Sequence, residues 1–216
     1  RMNRIREVNA ADFVAVVEPG VVTARLQERA ERRGLFYPPD PASRETCSIG
    51  GNIAANAGGP RCLKYGVTRQ YVLGLEVVTA SGSVLRCGGR THKNKTGFDL
   101  VGLFTGSEGM LGVVTEATLR LLPLPPARAT VVATFATGAA AAAAVRAVLG
   151  AGFLPCALEV ADAYTLQCVR EHLGTKRVPA GRAFLLVELD GQPETVRAEA
   201  LAVSLIVRAC RAVSLR

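Results

Sequence analysis

The 216-residue sequence has no tryptophan, four tyrosines, two histidines and four lysines. Each scarcity closes off a class of chemistry. A nucleic-acid surface interleaves cations with rings that stack on bases, and a zinc centre needs Cys or His ligands paired at short spacing. Neither pattern occurs. The cysteines, at 47, 62, 87, 156, 168 and 210, form no C-x-x-C pair, and His92 and His172 stand alone. Scattered cysteines in an apolar chain read as small, reduced core residues, so neither a metal site nor a disulfide framework is expected. No apolar run approaches the roughly 18 uncharged residues of a membrane span. The opening RMNRIREVNA matches no secretory or lipidation signal, and the expectation is a soluble, cytoplasmic chain.

What is abundant is apolar side chain, glycine and arginine. Hydrophobic residues make up 49% of the chain, enough for an interior of its own. The formal charge is +8, and 22 of the 26 basic residues are arginine. Arg1-Arg4-Arg6, Arg29-Arg32-Arg33 and His92-Lys93-Lys95 come closest to clusters, and they read as solvated faces, not as a nucleic-acid footprint. The chain opens on Arg1 and stops after AVSLR without a polar tail, which suggests a piece of something longer.

Two textures meet in LLPLPPA, where repeated proline suits the interior of neither helix nor sheet, giving expected domains 1–124 and 125–216. In the first, RIREV and FVAVVEPG read as strands. VTARLQERAERRG reads as a helix with Val22, Leu26 and Ala30 on one face and Gly34 at its C-cap. GLEVVTASGSVLRCG predicts a hairpin about Ser81-Gly82, FDLVGLF a short helix with Asp99 near its start, and Gly112 to Leu122 an alternating strand. The second domain alternates: strand ATVVATF, an alanine-rich helix over 138–149, strand CALEVAD, a helix over Tyr164–Leu173, strand AFLLVELDG, the helix PETVRAEALAVSLIVRAC and a closing strand in AVSLR. That order predicts an α+β layer of ferredoxin-like kind, with helices on one side of a sheet.

Two glycine-rich stretches stand out. In CSIGGNIAANAGG, Gly50-Gly51 and Gly58-Gly59 bracket a small-residue segment carrying Asn52 and Asn56. Bare backbone there can make an anion site or meet a flat ring, with NIAANA as one helical turn behind it; on glycine count alone a pair of ordinary turns is the favoured reading. In TGSEGMLGVVTEA, Gly106, Gly109 and Gly112 lead directly into a strand, and Glu108 can accept from a sugar hydroxyl or cap a helix end. Neither stretch is a G-x-G-x-x-G fingerprint or a phosphate-binding P-loop, so a Rossmann nicotinamide site and a P-loop kinase are both poorly supported.

Taken together and in order, PPDPASRETCSIGGNIAANAGGPRCLKYGVTRQYVLGLEVVTASG and KNKTGFDLVGLFTGSEGMLGVVTEATLRLLPLPP resemble the FAD-binding domain of the vanillyl-alcohol oxidase / p-cresol methylhydroxylase superfamily. Within it they are most similar to the branch of the glycolate oxidase D subunits and the D-lactate and D-2-hydroxyglutarate dehydrogenases. The resemblance extends through LEVADAYTL and LLVELDG, so it implies an FAD-binding PCMH-type domain followed by the first part of a ferredoxin-like cap domain. It also implies a flavin and pyrophosphate wall at Pro39, Asp40, Ser43, Cys47, Ser48, Gly50, Gly51, Asn52, Asn56 and Gly58, continued by Lys64 to Gly66. Contacts to the ribose and adenine end are implied at Glu108, Gly109, Gly112, Val113 and Val114. Ser48 and Met110 stand where relatives carry threonine, and valines replace isoleucines where the expected contact is backbone.

The activity implied is oxidation of a small 2-hydroxy acid, glycolate or D-lactate, by hydride transfer to flavin N5. The resemblance places a pyrophosphate loop before the segment matching Arg1, and substrate-binding histidines and a glutamate beyond the segment matching Arg216. It therefore implies no catalytic residue within 1–216, and weak FAD binding or none with no turnover from these residues alone. Companion flavin-domain-like and iron–sulfur subunits are implied as partners, with peripheral inner-membrane attachment through them. A noncatalytic flavin-domain-like subunit is the alternative.

Overall fold

Alternating apolar and polar residues put one side of each strand into an interior, and in the computed structural model they do so twice. Residues 2–174 and 180–216 are described, so Arg1 of the first basic cluster lies outside the described residues. The chain divides into two units, Arg1–Leu124 and Pro125–Arg216.

The first unit runs β1 (Ile5–Asn9), β2 (Val14–Val17), α1 (Thr23–Glu31), β3 (Leu35–Phe36), α2 (Ile49–Ala55), α3 (Cys62–Tyr65), β4 (Val72–Val78), β5 (Val84–Gly88), α4 (Leu100–Phe104), β6 (Val113–Arg120) and β7 (Leu122–Pro123). Five of its strands form an antiparallel sheet in the order β1-β2-β6-β4-β5, and β3 pairs with β7. Val17, Val77 and Leu119 from the sheet, Leu26 from α1, and Ile49 and Ile53 from α2 make one fully buried core.

Local sequence departs from expectation in two places. Val22 pairs with Ser48 in an extended bridge, so α1 starts at Thr23 and closes at Arg32, short of Gly34. The helix expected at NIAANA begins earlier, at Ile49, because the Ser48 hydroxyl accepts the Gly51 N–H at 3.2 Å and caps it. Gly50 and Gly51 thus lie in the first helical turn, not in a turn before it. Asp99 caps α4 as expected, its carboxylate accepting the Gly102 N–H at 2.7 Å.

The second unit runs β8 (Ala127–Phe135), α5 (Gly138–Gly150), β9 (Ala157–Ala161), α6 (Ala163–Leu173), β10 (Ala183–Gly191), α7 (Pro193–Ala209) and β11 (Ser214–Leu215). The order β11-β8-β10-β9, antiparallel throughout, is the ferredoxin-like arrangement, with α6 added between the second and third strands. Leu185, Val187 and Leu189 face Ala141, Ala144 and Val148 of α5 and Val196, Val203 and Val207 of α7 in a separate core. Alanine in α5 lets the two helices approach closely over the sheet.

Candidate cofactor-binding site

The site is built in the first unit from three segments far apart in sequence. Pro19-Gly20 follows β2 and is anchored through its neighbour Glu18, a buried carboxylate that receives the Arg4 N–H at 2.9 Å and its guanidinium at 3.0–3.1 Å, with Arg6 at 3.3 Å. The Arg4 backbone N–H and guanidinium, with Arg6 beside them, hold the Glu18 pKa down to about 2. Gly20 donates to Met2 O at 2.7 Å, which pins this corner against the chain start.

The second segment is the first turn of α2. Gly50 donates to Pro19 O at 2.8 Å, and a methyl group there would stand 2.6 Å from the Pro19 Cβ, so only glycine permits this approach. The N–H groups of both Gly50 and Gly51 are bonded within the fold, to Pro19 and Ser48. What they offer a ligand is therefore uncovered backbone surface and not hydrogen-bond donors.

The third segment runs from Thr105 to Val114 and is held by the end of α2. Gly106 donates to Ile53 O and Glu108 to Ala54 O, each at 2.9 Å. Glu108 adopts left-handed backbone at φ +52, and a methyl on Gly112 would stand 2.6 Å from Val77 Cγ1. Gly109 and Gly112 of this segment and Gly50 and Gly51 of the second line one cavity of about 330 Å³. Ser48, Val113 and Val114 line it as well, whereas Glu108, expected among them, does not.

Other residues singled out in the sequence lie outside that wall. Asn52 is buried, its amide donating to Thr23 Oγ1 at 2.7 Å. Asn56 ends α2 at φ +48, and its Oδ1 accepts the Arg69 N–H at 2.9 Å. Pro39 and Asp40 are held by other partners: Gln27 Nε2 donates to Pro39 O at 2.9 Å, and Asp40 pairs with Arg61 at 3.4 Å. Ser43 is exposed and its carbonyl accepts the Cys47 N–H at 2.8 Å, while Cys47 Sγ sits 3.2 Å from Thr23 Oγ1. Gly58 packs over Cys62 Sγ, Lys64 lies 5.5 Å from the Tyr65 ring centroid, and Gly66 ends α3 at φ +75. The Tyr71 hydroxyl donates to Tyr65 O at 2.7 Å, and burial pushes its pKa up to about 12.

Pro19, Gly20, Phe104 and Ser107 also line the cavity and are not among the site residues expected from the sequence. The Pro-Gly pair directly after a buried strand is a turn signal that could have marked the first two. A second, open hollow of about 690 Å³ lies beside β5 and α4 and carries Arg69, Arg86, His92, Lys95 and Asp99. Among the described residues no three His, Cys, Asp or Glu side chains converge to hold a metal, and no helix is long and apolar enough to cross a membrane.

Comparison with known proteins gives concordant matches. Residues 1–88 match the FAD binding domain family, and residues 124–215 match the C-terminal domain family of FAD linked oxidases. The chain is 43% identical to glycolate oxidase subunit GlcD of Bacillus subtilis over 215 residues, covering 100% of this chain and 46% of that protein. It is 40% identical to a D-lactate dehydrogenase of Archaeoglobus fulgidus over 200 residues, 92% of this chain and 45% of that one. In fold it is similar to a solved structure of alkyldihydroxyacetonephosphate synthase, with TM-score 0.83 and 24% identity, over 98% of this chain and 41% of that one. The chain thus spans less than half the length of these relatives. It carries an FAD binding domain in its first unit and the C-terminal domain of FAD linked oxidases in its second.

Proposed function

We propose that the cavity between Gly50-Gly51 and Gly109–Val114 receives part of FAD, and that the whole protein oxidises a small 2-hydroxy acid such as glycolate or D-lactate. The observation that carries this reading is that both glycine-rich segments line one cavity. The residues present suit the cofactor: side-chain-free backbone on both sides admits a flat ring, and nothing of the protein lies within 4 Å of where a methyl on Gly109 would stand. In this reading Val113 and Val114 flank the adenine through their main chain, Glu108 accepts from the ribose, and Ser48 to Gly51 border the pyrophosphate. Pro39, Asp40, Ser43, Cys47, Asn52, Asn56, Gly58 and Gly66 then support the flavin side, Asn52 and Asn56 by holding α2 in place. When bound, FAD supplies the acceptor for the hydride taken from the substrate. These residues bind, orient and exclude water; no group of this chain is assigned the substrate proton.

The relatives named glycolate oxidase subunit and D-lactate dehydrogenase support the substrate class, and the first name supports companion subunits. The test is the visible spectrum of the purified full-length protein, followed by anaerobic addition of glycolate or D-lactate. Bound flavin that bleaches with either acid is expected. Protein without flavin overturns the cofactor assignment. Flavin that bleaches with neither overturns the substrate class and favours a noncatalytic docking subunit.

A further inference from the structure

We propose that Arg69 is a positioning residue for this cavity: it ties the segment Thr105–Val114 to the end of α2 and so sets how far apart the two bare walls stand. The inference rests on the FAD reading above but uses different contacts. Arg69 lies in the 3-10 turn Thr68–Tyr71 and does not line the cavity. Its backbone N–H donates to Asn56 Oδ1 at 2.9 Å, and its guanidinium Nη2 donates to Thr105 O at 2.7 Å. One residue thus holds Asn56, which ends α2 within the first glycine segment, and Thr105, the first residue of the second.

The neighbouring contacts make Arg69 more than one bond among many. Thr68, fully buried, donates both its N–H (3.1 Å) and its Oγ1 (2.7 Å) to Ala57 O, which clamps the turn to the chain just past α2. With that end fixed, the guanidinium reaches across α4 where Gly102 leaves it space, since a methyl there would stand 2.9 Å from Nη1. The bond to Thr105 O is charge-assisted, the stronger class of hydrogen bond. Asn56 and Glu108 hold left-handed backbone at φ +48 and +52. Non-glycine residues keep that conformation only when their surroundings over-determine it. Arg69 grips Asn56 directly, and it grips the loop of Glu108 three residues upstream, at Thr105. Without it, Gly106 and Glu108 keep only their bonds to Ile53 O and Ala54 O. A lysine keeps the charge but lacks the rigid planar fork.

The test compares Arg69→Met and Arg69→Lys with Arg86→Met, an arginine whose exposed guanidinium pairs with Glu76 on the β4–β5 hairpin. In the full-length protein, loss of one charge-assisted bond should weaken FAD binding roughly tenfold to hundredfold in Arg69→Met, with Arg69→Lys between it and wild type and Arg86→Met unchanged. The absorption envelope of any flavin still bound should shift in Arg69→Met alone, which a loss of global stability would not cause. Amide exchange at Gly106 and Glu108, read without cofactor, should quicken about tenfold together in both Arg69 variants. Wild-type affinity and spectrum in Arg69→Met overturn the positioning role while leaving the cofactor reading intact. Unchanged exchange at the two amides overturns it even if a variant binds FAD poorly. A wild-type protein that binds no FAD overturns the cofactor reading, and this inference with it.

Discussion

The Glu108 amide donates to the Ala54 carbonyl at 2.9 Å while Glu108 itself stands at φ +52, so one of the bonds that join the two cavity walls is made by a residue in a strained conformation. Left-handed backbone costs an ordinary side chain about 1–2 kcal/mol, and glycine almost nothing. Glu108→Gly should therefore raise resistance to urea by up to about 1 kcal/mol. It should weaken FAD binding at the same time, because the proposed ribose acceptor is gone. Unchanged affinity in an isothermal titration would remove Glu108 from the cofactor site.

Gly50→Ala places a methyl 2.6 Å from the Pro19 Cβ and 3.1 Å from the Pro19 carbonyl oxygen. Both neighbours belong to a pinned corner, so the strain should cost about 1–3 kcal/mol and abolish FAD binding. Gly138→Ala is the control: no neighbour lies within 4 Å of a methyl there, and α5 should be unchanged or firmer by up to about 1 kcal/mol. Equal melting temperatures for the two variants would contradict the crowding described at Gly50.

Asn52 and Thr23 form a buried pair joined at 2.7 Å. Removing Thr23 strands the Asn52 amide away from water, while removing Asn52 takes the short bond from the Thr23 hydroxyl and leaves it the longer contacts to Cys47 O and Sγ, so Asn52→Ala should cost about 1–3 kcal/mol in chemical denaturation. Asn52→Ala combined with Thr23→Val should cost clearly less than the sum of the two single changes. Strict additivity would show that the pair is not coupled.

Glu18 carries the acid dependence of the Pro19-Gly20 corner. Its folded pKa of about 2 lies below the unfolded carboxylate value of about 4.3, so its contribution is complete above the unfolded value and is lost as pH falls through the folded one. Glu18→Gln should lower the melting temperature at neutral pH, and the gap from wild type should narrow between roughly pH 4.3 and 2. Parallel melting curves across that window would show that the arginines do not depress this carboxylate.

Much of the architecture was legible because it is local. Ser81-Gly82 signals the hairpin, Asp99 the cap of α4, and the strand–helix alternation after Pro126 the ferredoxin-like order. The glycine segments were legible as unusual backbone, and their specific assignment came from the resemblance. What stayed hidden depends on partners distant in sequence. Gly50 and Gly51 are poor helix formers by about 1 kcal/mol each, yet they open a helix because Ser48 caps it and Pro19 accepts a bond from its first turn. Asn52 and Asn56 look like ligand groups until Thr23 and Arg69 are found beside them. Nothing in the local sequence reveals that Arg69 reaches Thr105.

Strand order carries a consequence for synthesis. β6 is the last long strand of its sheet to leave the ribosome, yet it belongs in the middle, between β2 and β4. Until it arrives, the nascent chain carries two half-sheets with raw inner edges, a form that invites mispairing and chaperone capture. Val113 and Val114 of the cavity wall belong to this same strand, so the wall too stays incomplete until the sheet is whole.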